Sequence, residues 1–180
     1  MTTVKTKKIV AISGSLKSTS SNTNILMAVA DISPQNVIVT IFEGLDSLPH
    51  FNPEIKEETD SVNKLRQQIK NADGVIISTP EYAFGVPGVL KNALDWLVSS
   101  GELNEKPVVA ISASPLYSGG DKALVSLLLT LTALGATMNA GSSLGIGNIK
   151  NKMNDAGIIS DIETIQTLKR LLNNLTEMIP

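Results

Sequence analysis

The sequence predicts an α/β domain in which helices cover both faces of a doubly wound parallel β-sheet. Five short apolar runs alternate along the chain with five segments whose apolar residues recur at helical spacing. The stronger runs are continuous and rich in β-branched residues, which is typical of parallel strands buried on both faces. Repeated strand–helix alternation also indicates right-handed crossovers. Because 180 residues contain no repeat, linker or low-complexity segment, residues 1–180 are predicted to form a single domain.

The strand predictions follow the apolar runs in chain order. Four of them are well marked, and a fifth near the carboxyl-terminal third is weaker because its apolar residues are fewer. The predicted strands are residues 9–13 (IVAIS), 37–42 (VIVTIF), 74–78 (GVIIS), 108–112 (VVAIS) and, more weakly, 137–144. The stretch 44–56 between the second strand and the second helix contains LPHFNPEI and is predicted to be an ordered loop.

The helix predictions rest on apolar stripes between these runs. They cover residues 22–32, 59–71, 86–100, 121–134 and 161–178. The fourth segment is almost wholly apolar, and we therefore expect it to be well buried. In the third segment, Trp96 falls off the apolar stripe, so we expect it to be exposed and to act as an interface anchor, with partial burial within the monomer as the alternative.

Composition excludes several classes of function. Hydrophobic residues make up 42% and charged residues 18%, and the formal net charge of −2 gives no basic excess for nucleic acid or an anionic membrane. The absence of cysteine excludes disulfides and thiolate chemistry and is consistent with a cytoplasmic protein. A single histidine, His50, excludes a multi-histidine metal site, and no metal is expected. The amino-terminal apolar run is too short for a signal peptide or a membrane span.

In an open parallel sheet, ligands bind beyond the carboxyl ends of the strands. The loop after the first strand, SGSLKSTSSNTN, opens a helix and is rich in hydroxyl and amide groups. A helix amino terminus with added donors favours a phosphate group, although an ordinary serine-rich helix cap remains open. Neither a P-loop nor GxGxxG is present. The predicted phosphate ligands and their neighbours are Ser13, Ser15, Lys17, Ser20, Ser21, Asn22 and Thr23.

The loop after the third strand, TPEYAFGVPG, fixes its backbone with prolines and glycines and carries two aromatic side chains. Free backbone groups can meet the polar edge of a planar ring, and an aromatic side chain can flank it. A packed turn that anchors the next helix is the alternative. The candidate contacts are Pro80, Glu81, Tyr82, Ala83 and Phe84.

The loop after the fourth strand, SASPLYSGG, again opens a helix. Two adjacent glycines allow a close backbone approach, and the serines can donate hydrogen bonds. Simple helix capping remains open here too. The candidate contacts in this loop are Ser114, Tyr117, Gly119 and Gly120.

These motifs resemble the NADPH-dependent FMN reductases, a group that includes quinone, chromate and azo-dye reductases. GSLKSTSSN is similar to the family's phosphate loop, TPEYAFGVPGVLKNALDWL to its TPEYN signature, SPLYSGG to its SPxxxGG loop, and LPHFNPEI to its LPxYNPDLE stretch, so that the similarity spans residues 8–178. The resemblance implies a flavodoxin-like sheet of order 2-1-3-4-5 and one FMN. The three sets of loop residues would contact that cofactor.

The resemblance further implies that NADPH or NADH delivers hydride to the flavin N5 atom and that a small acceptor takes the electrons. Quinones, azo dyes, chromate or free flavin are the expected acceptors, and no catalytic side chain is expected. It also implies a homodimer or homotetramer packed through the helix that carries Asp95 and Trp96. Two departures stand out: Ala83 replaces the usual Asn, and Leu116–Tyr117 replaces Gly and a basic residue.

Two other classes of function remain open from the sequence. A flavodoxin-type electron carrier would need a strongly acidic docking surface, which a net charge of −2 does not supply. A flavin-binding regulator without turnover is the other alternative, and Ala83 leaves it open. His50 either faces the substrate pocket or has a structural role. An α/β-hydrolase is disfavoured because the chain has no GxSxG elbow.

Overall fold

The computed structural model describes residues 5–55 and 59–180 and contains one five-stranded parallel sheet in the order β2-β1-β3-β4-β5. This confirms the predicted fold class and strand order. The strands are β1 Lys7–Ser13, β2 Val37–Ile41, β3 Gly74–Thr79, β4 Val108–Ala113 and β5 Ser143–Ile146. The connecting α-helices are α1 Ser21–Asp31, α2 Asp60–Asn71, α3 Gly88–Asp95, α4 Asp121–Ala133 and α5 Ile162–Met178, and short 3-10 helices span Leu45–Ser47 and Ile149–Lys152.

The sheet divides the hydrophobic core into two layers. Alternate β1 residues point to opposite faces, so that Val10 packs with α2, α3 and α4 while Ile9 packs with α1 and α5. Every residue of β3 and of β4 is buried, as expected for central strands covered on both faces. Because the strands are parallel, the three candidate loops all lie at the carboxyl edge of this sheet.

Helix α4 is less buried than its composition predicts. Only Ala123, Leu127 and Leu131 are buried, whereas Val125 and Leu129 are 56% and 69% exposed. The expectation of a well-buried helix was therefore wrong. A helix on the face of an open sheet covers the sheet along one stripe, so apolar residues outside that stripe remain in contact with solvent.

The exposure predicted for Trp96 was also wrong. Helix α3 ends at Asp95, before the predicted end at residue 100, and the Trp96 side chain is only 3% exposed. Its Nε1 donates a hydrogen bond of 2.9 Å to the carbonyl oxygen of Pro49, and its ring meets Phe51 edge-on with centroids 5.1 Å apart. Arg66 in turn donates to the Trp96 carbonyl oxygen. Trp96 is thus an internal anchor for the loop that follows β2.

That loop is held to α3 by a second side chain. Asn92 Nδ2 donates to the Pro49 carbonyl oxygen at 2.9 Å, and Asn92 Oδ1 accepts from the Phe51 backbone N–H at 2.7 Å. The prediction of an ordered loop is confirmed over residues 44–55, whereas residue 56 lies outside the described residues. His50 lies between Pro49 and Phe51, the two loop residues that these side chains hold, and its own side chain is exposed.

The fifth strand lies later in the chain than predicted, at Ser143–Ile146 instead of 137–144, and Thr137 contributes only an isolated bridge to Pro107. The apolar pattern of this edge strand is weak, and the prediction therefore placed the strand too early in the chain. The prediction that the amino-terminal run forms neither a signal peptide nor a membrane span involves residues 1–4, which lie outside the described residues. Among the described residues, no helix has the length and apolar character needed to cross a bilayer.

Candidate functional site

The loops after β1 and β3 touch directly at the carboxyl edge of the sheet. The Gly14 backbone N–H donates to the Ser78 carbonyl oxygen at 2.7 Å. A Cβ atom at Gly14 would lie 2.9 Å from Leu90 Cδ2 and 3.2 Å from Thr79 Oγ1, so a larger residue would separate the two loops. The glycine of the phosphate-loop motif is therefore required for loop packing.

Asn22 of α1 joins two strands beneath the site. Its buried side chain donates from Nδ2 to the Ala113 carbonyl oxygen at 3.3 Å and accepts at Oδ1 from the Ser78 hydroxyl at 2.9 Å. Helix α1 is thereby connected to the ends of β3 and β4. The expectation that this side-chain amide donates to a phosphate needs correction, because both of its polar atoms already have partners. Its backbone N–H stays available.

The first loop forms a cup at the amino terminus of α1. The Ser20 hydroxyl caps the helix by accepting from the Thr23 N–H, and the Thr23 and Ser13 hydroxyls are 2.7 Å apart. Within the described residues, the backbone N–H groups of Ser21 and Asn22 have no partner, and neither has the exposed Lys17 ammonium. Unpaired amides, a helix dipole and a cation together suit a phosphate dianion.

The second loop contains a tight turn in an unusual conformation. Tyr82 and Gly85 exchange two backbone hydrogen bonds of 3.0 Å, and Ala83 and Phe84 between them have φ angles of 48° and 62°. Residues with a side chain seldom adopt this left-handed region, and strain of this kind concentrates at functional sites. The turn projects Tyr82 and Phe84 outward, with 57% and 78% of their surface exposed.

Glu81 connects the second loop with the third. Its Oε2 atom accepts a hydrogen bond of 2.9 Å from the Ala123 backbone N–H in the first turn of α4. Gly120 occupies the capping position of that helix and offers no side chain, so Glu81 supplies the missing acceptor from another loop. The carboxylate therefore positions the two loops relative to each other, and this role was not foreseen from the sequence.

The third loop is built around glycine. Gly119 and Gly120 have φ angles of 67° and 80°, and a Cβ atom at Gly119 would lie 2.9 Å from the Gly147 backbone nitrogen. The Ser112 hydroxyl donates to the Gly119 carbonyl oxygen at 2.8 Å, and the Ser114 hydroxyl accepts from the Leu116 N–H at 3.1 Å. The glycine pair thus serves local packing as well as any approach to a ligand.

Gly147 is a further residue that the sequence reasoning missed. A Cβ atom there would overlap the carbonyl oxygen of Tyr117, which leaves the third loop resting directly on the segment after β5. The only local signal is the GIG sequence at residues 145–147, which does not reveal the partner loop.

Exposed apolar side chains lie on all three of these loops, and together they are called the rim. Each of the three loops contributes at least one of them, and each is more than half exposed. The rim consists of Leu16, Tyr82, Phe84, Leu116 and Tyr117. Free backbone amides, one cation and an apolar rim match a phosphorylated planar ring better than a metal ion. The described residues contain no group of three or more His, Cys, Asp or Glu side chains that could hold a metal ion.

The charges nearest the third loop are paired with each other. Asp121 opens helix α4, and the Lys122 ammonium donates a hydrogen bond of 3.0 Å to Asp121 Oδ2. This hydrogen bond is the main reason why the pKa of the Asp121 carboxyl lies below its ordinary value. Asp121 and Lys122 themselves therefore add little net charge to this helix end.

Comparisons with known proteins agree with this geometry. The model of the NADPH-dependent FMN reductase family matches residues 7–151. A quinone reductase of Escherichia coli (strain K12) is 33% identical over 96% of this chain and 95% of its own length. The flavoenzyme NAD(P)H:(acceptor) oxidoreductase FerB of Paracoccus denitrificans has a structure that matches with a TM-score of 0.86 at 25% identity, covering 96% of this chain and 97% of that chain.

The chain therefore belongs to the NADPH-dependent FMN reductase family. It is an oxidoreductase of flavodoxin-like fold that uses FMN and NAD(P)H, as its sequence motifs indicated. The alternative of a carrier or a non-catalytic regulator is not favoured, because the relatives are named as reductases and the solved neighbour as an oxidoreductase.

Proposed function

We propose that this family member passes electrons from NADH or NADPH to a small planar acceptor, with a quinone as the favoured class. The observation that carries this proposal is the apolar rim on all three loops together with the unpaired backbone amides. An aromatic acceptor gains from contact with exposed aromatic side chains, whereas chromate, a small anion, gains little. Lys17 is the one positive charge in these three loops.

The phosphate of FMN would be held by the first loop. The backbone N–H groups of Ser21 and Asn22, the Ser15 hydroxyl and the Lys17 ammonium are the donors that support this assignment. Ser13, Ser20 and Thr23 would keep the cup in shape through their mutual hydrogen bonds. No movement of the backbone is needed to offer these groups.

The flat ring would lie against the second and third loops. The backbone N–H groups of Glu81, Ala83 and Phe84 have no partner among the described residues, and Pro80 fixes the path of the chain before them. Donors of this kind stabilise negative charge on the edge of a ring. Ser114, Tyr117, Gly119 and Gly120 would line its other side. Bound FMN supplies the hydride-accepting chemistry at N5, so the protein's task is to bind, orient and exclude water.

A homodimer or homotetramer is the second part of the proposal, with the helix that carries Asp95 at the interface. Trp96 is buried and cannot serve as the anchor, but Val98 directly after α3 is 63% exposed, and Val125 and Leu129 on α4 are also exposed. Light scattering coupled to size-exclusion chromatography tests the assembly. Val98→Asp is expected to lower the measured molar mass of the assembly. An unchanged molar mass would exclude this segment from the proposed interface.

The cytoplasm is the proposed location. The chain has no cysteine to gain from an oxidising compartment, and reduced nicotinamide donors are abundant inside the cell.

The central experiment is an anaerobic titration of the FMN-loaded protein with NADH and, separately, with NADPH. We expect the flavin absorbance to bleach and then to return when 1,4-benzoquinone is added. Lys17→Gln is expected to weaken FMN binding roughly tenfold through loss of a charged phosphate contact. Lys169→Gln, on the exposed face of α5, is the matched control. A flavin that binds but does not bleach with either donor would contradict the reductase assignment.

A further inference from the structure

A polar groove of about 400 Å³ lies directly beside the phosphate loop, outside the contacts assigned to FMN. Ser18 and Thr19 of that loop form one wall, and the segment that follows β5 forms the other. The side chains that matter for its chemistry are Ser18, Thr19, Asn24, Lys150, Met153 and Asp155.

The phosphate loop has more hydroxyls than its own structure uses. The hydroxyls of Ser13, Ser15, Ser20 and Thr23 all take part in hydrogen bonds inside the loop. Ser18 and Thr19 are exposed, and within residues 5–55 and 59–180 neither their hydroxyls nor their backbone N–H groups have a partner. These spare donors line the groove.

The groove also carries unpaired charge. Lys152 is occupied by Asp161 Oδ2 at 3.4 Å and by the Thr164 hydroxyl at 3.1 Å. The neighbouring Lys150 ammonium makes no hydrogen bond or ion pair with any part of the chain that the structure describes, and neither does the Asp155 carboxylate. One cation near several hydroxyl donors suits a phosphate, and one acceptor suits an amine or a ribose hydroxyl.

The far wall is preformed. Asn154 Oδ1 accepts from the backbone N–H groups of Ala156 and Ile158 at 3.0 Å each, which closes residues 154–158 into a tight turn. Gly157 at φ 78° packs against α1 so closely that a Cβ atom there would lie 2.5 Å from Asn24 Nδ2. A rigid wall lowers the entropy cost of binding a ligand.

We propose that this groove binds the adenosine phosphate half of a dinucleotide whose other half lies at the flavin site. Ser18, Thr19 and Lys150 would hold the phosphate, Asp155 and Asn24 would hydrogen-bond the adenosine, and the partly buried Met153 would offer the base an apolar surface. The inference rests on the proposed function, because it requires a flavin phosphate in the adjacent cup. FAD and NADPH both contain this group, and the experiment separates them.

The first arm compares FMN and FAD by fluorescence titration of the flavin-free protein. We expect FAD to bind at least as tightly as FMN. Lys150→Gln should weaken FAD roughly tenfold, the loss expected for one charged contact, and should change FMN affinity less than about twofold. Lys169→Gln makes the same charge change on exposed α5 and should alter neither affinity.

The second arm measures NADP⁺ binding to the FMN-loaded protein by calorimetry. A loss confined to NADP⁺ in Lys150→Gln, with FAD no tighter than FMN, would assign the adenosine phosphate to the nicotinamide donor and support the shared chemistry. Equal affinities of wild type and Lys150→Gln for FAD and for NADP⁺ would overturn the proposal. FMN binding and bleaching would then still support the proposed function, so the two failures are distinguishable.

Discussion

Two turns at the carboxyl edge of the sheet place consecutive residues at positive φ, but they do so with different amino acids. After β3 the pair is Ala83–Phe84, and after β4 it is Gly119–Gly120. Around Gly119 the backbones of Ile146 and Gly147 leave no room for a side chain. Phe84, by contrast, extends into solvent with 78% of its surface exposed.

The difference indicates what each turn is for. The turn after β4 needs its conformation for packing, and glycine adopts that conformation without strain. The turn after β3 keeps two side chains in a strained conformation, and strain of this kind concentrates at functional sites, which supports the proposal that this turn contacts the flavin ring. Substitutions in the two turns should therefore have opposite effects on the free energy of unfolding.

The largest effect is expected for Gly119→Ala. The new methyl group would meet the Gly147 nitrogen and the Ile146 backbone at 2.9–3.0 Å, on a residue whose φ is already 67°. Overpacking and left-handed strain together should lower the free energy of unfolding by about 3 kcal/mol, as measured by urea denaturation.

Gly88→Ala is the matched control for that substitution. A Cβ atom at Gly88 meets nothing within 4 Å, and the residue begins α3, so the free energy of unfolding should rise by up to about 1 kcal/mol. If Gly119→Ala unfolded with the wild-type midpoint, the contrast between crowded and open turns would be wrong.

The next largest effect is expected for Glu81→Ala, which removes the contact between the two turns. The Ala123 N–H would lose its charged acceptor at the start of α4, and the free energy of unfolding should fall by about 2 kcal/mol. Glu81→Gln keeps an acceptor oxygen and should lose about half as much. FMN affinity, followed by fluorescence, should also fall in Glu81→Ala.

Glu54→Ala is the control for that pair, because Glu54 is exposed and, among the residues that the structure describes, only its backbone N–H is hydrogen-bonded, to Asn52 Oδ1. Its unfolding should match that of the wild type. Stability lost to the same extent in Glu81→Ala and Glu54→Ala would indicate a general effect of lost charge.

The fold was predictable because β-branched runs and helical stripes are local patterns, and helix α5 was placed within one residue of its observed start. Loop positions at the sheet edge followed from the parallel topology. Contacts across loops were not predictable, because no local pattern shows that Asn22 reaches Ala113 or that Glu81 reaches Ala123. Trp96 was misplaced for the same reason: its partner Pro49 is distant in sequence.

The smallest effect, and the one that tests the strained turn most directly, is expected for Ala83→Gly. At φ 48° an alanine costs about 1–2 kcal/mol relative to a glycine, whereas the glycine gains about 0.4–1 kcal/mol of unfolded-state freedom. The free energy of unfolding should therefore rise by about 0.5–1 kcal/mol. Asparagine also tolerates this region, so Ala83→Asn should raise the free energy of unfolding by a similar amount.

Ala140→Gly is the control for that last comparison, because Ala140 is also exposed in a turn but its φ is not positive. There only the unfolded-state term applies, and the free energy of unfolding should fall by about 0.4–1 kcal/mol. Opposite signs at the two alanines would show that the turn after β3 stores strain. If the free energy of unfolding fell for both substitutions, Ala83 would be unstrained in its turn. The contrast with Gly119 would then reflect only the room available for a side chain.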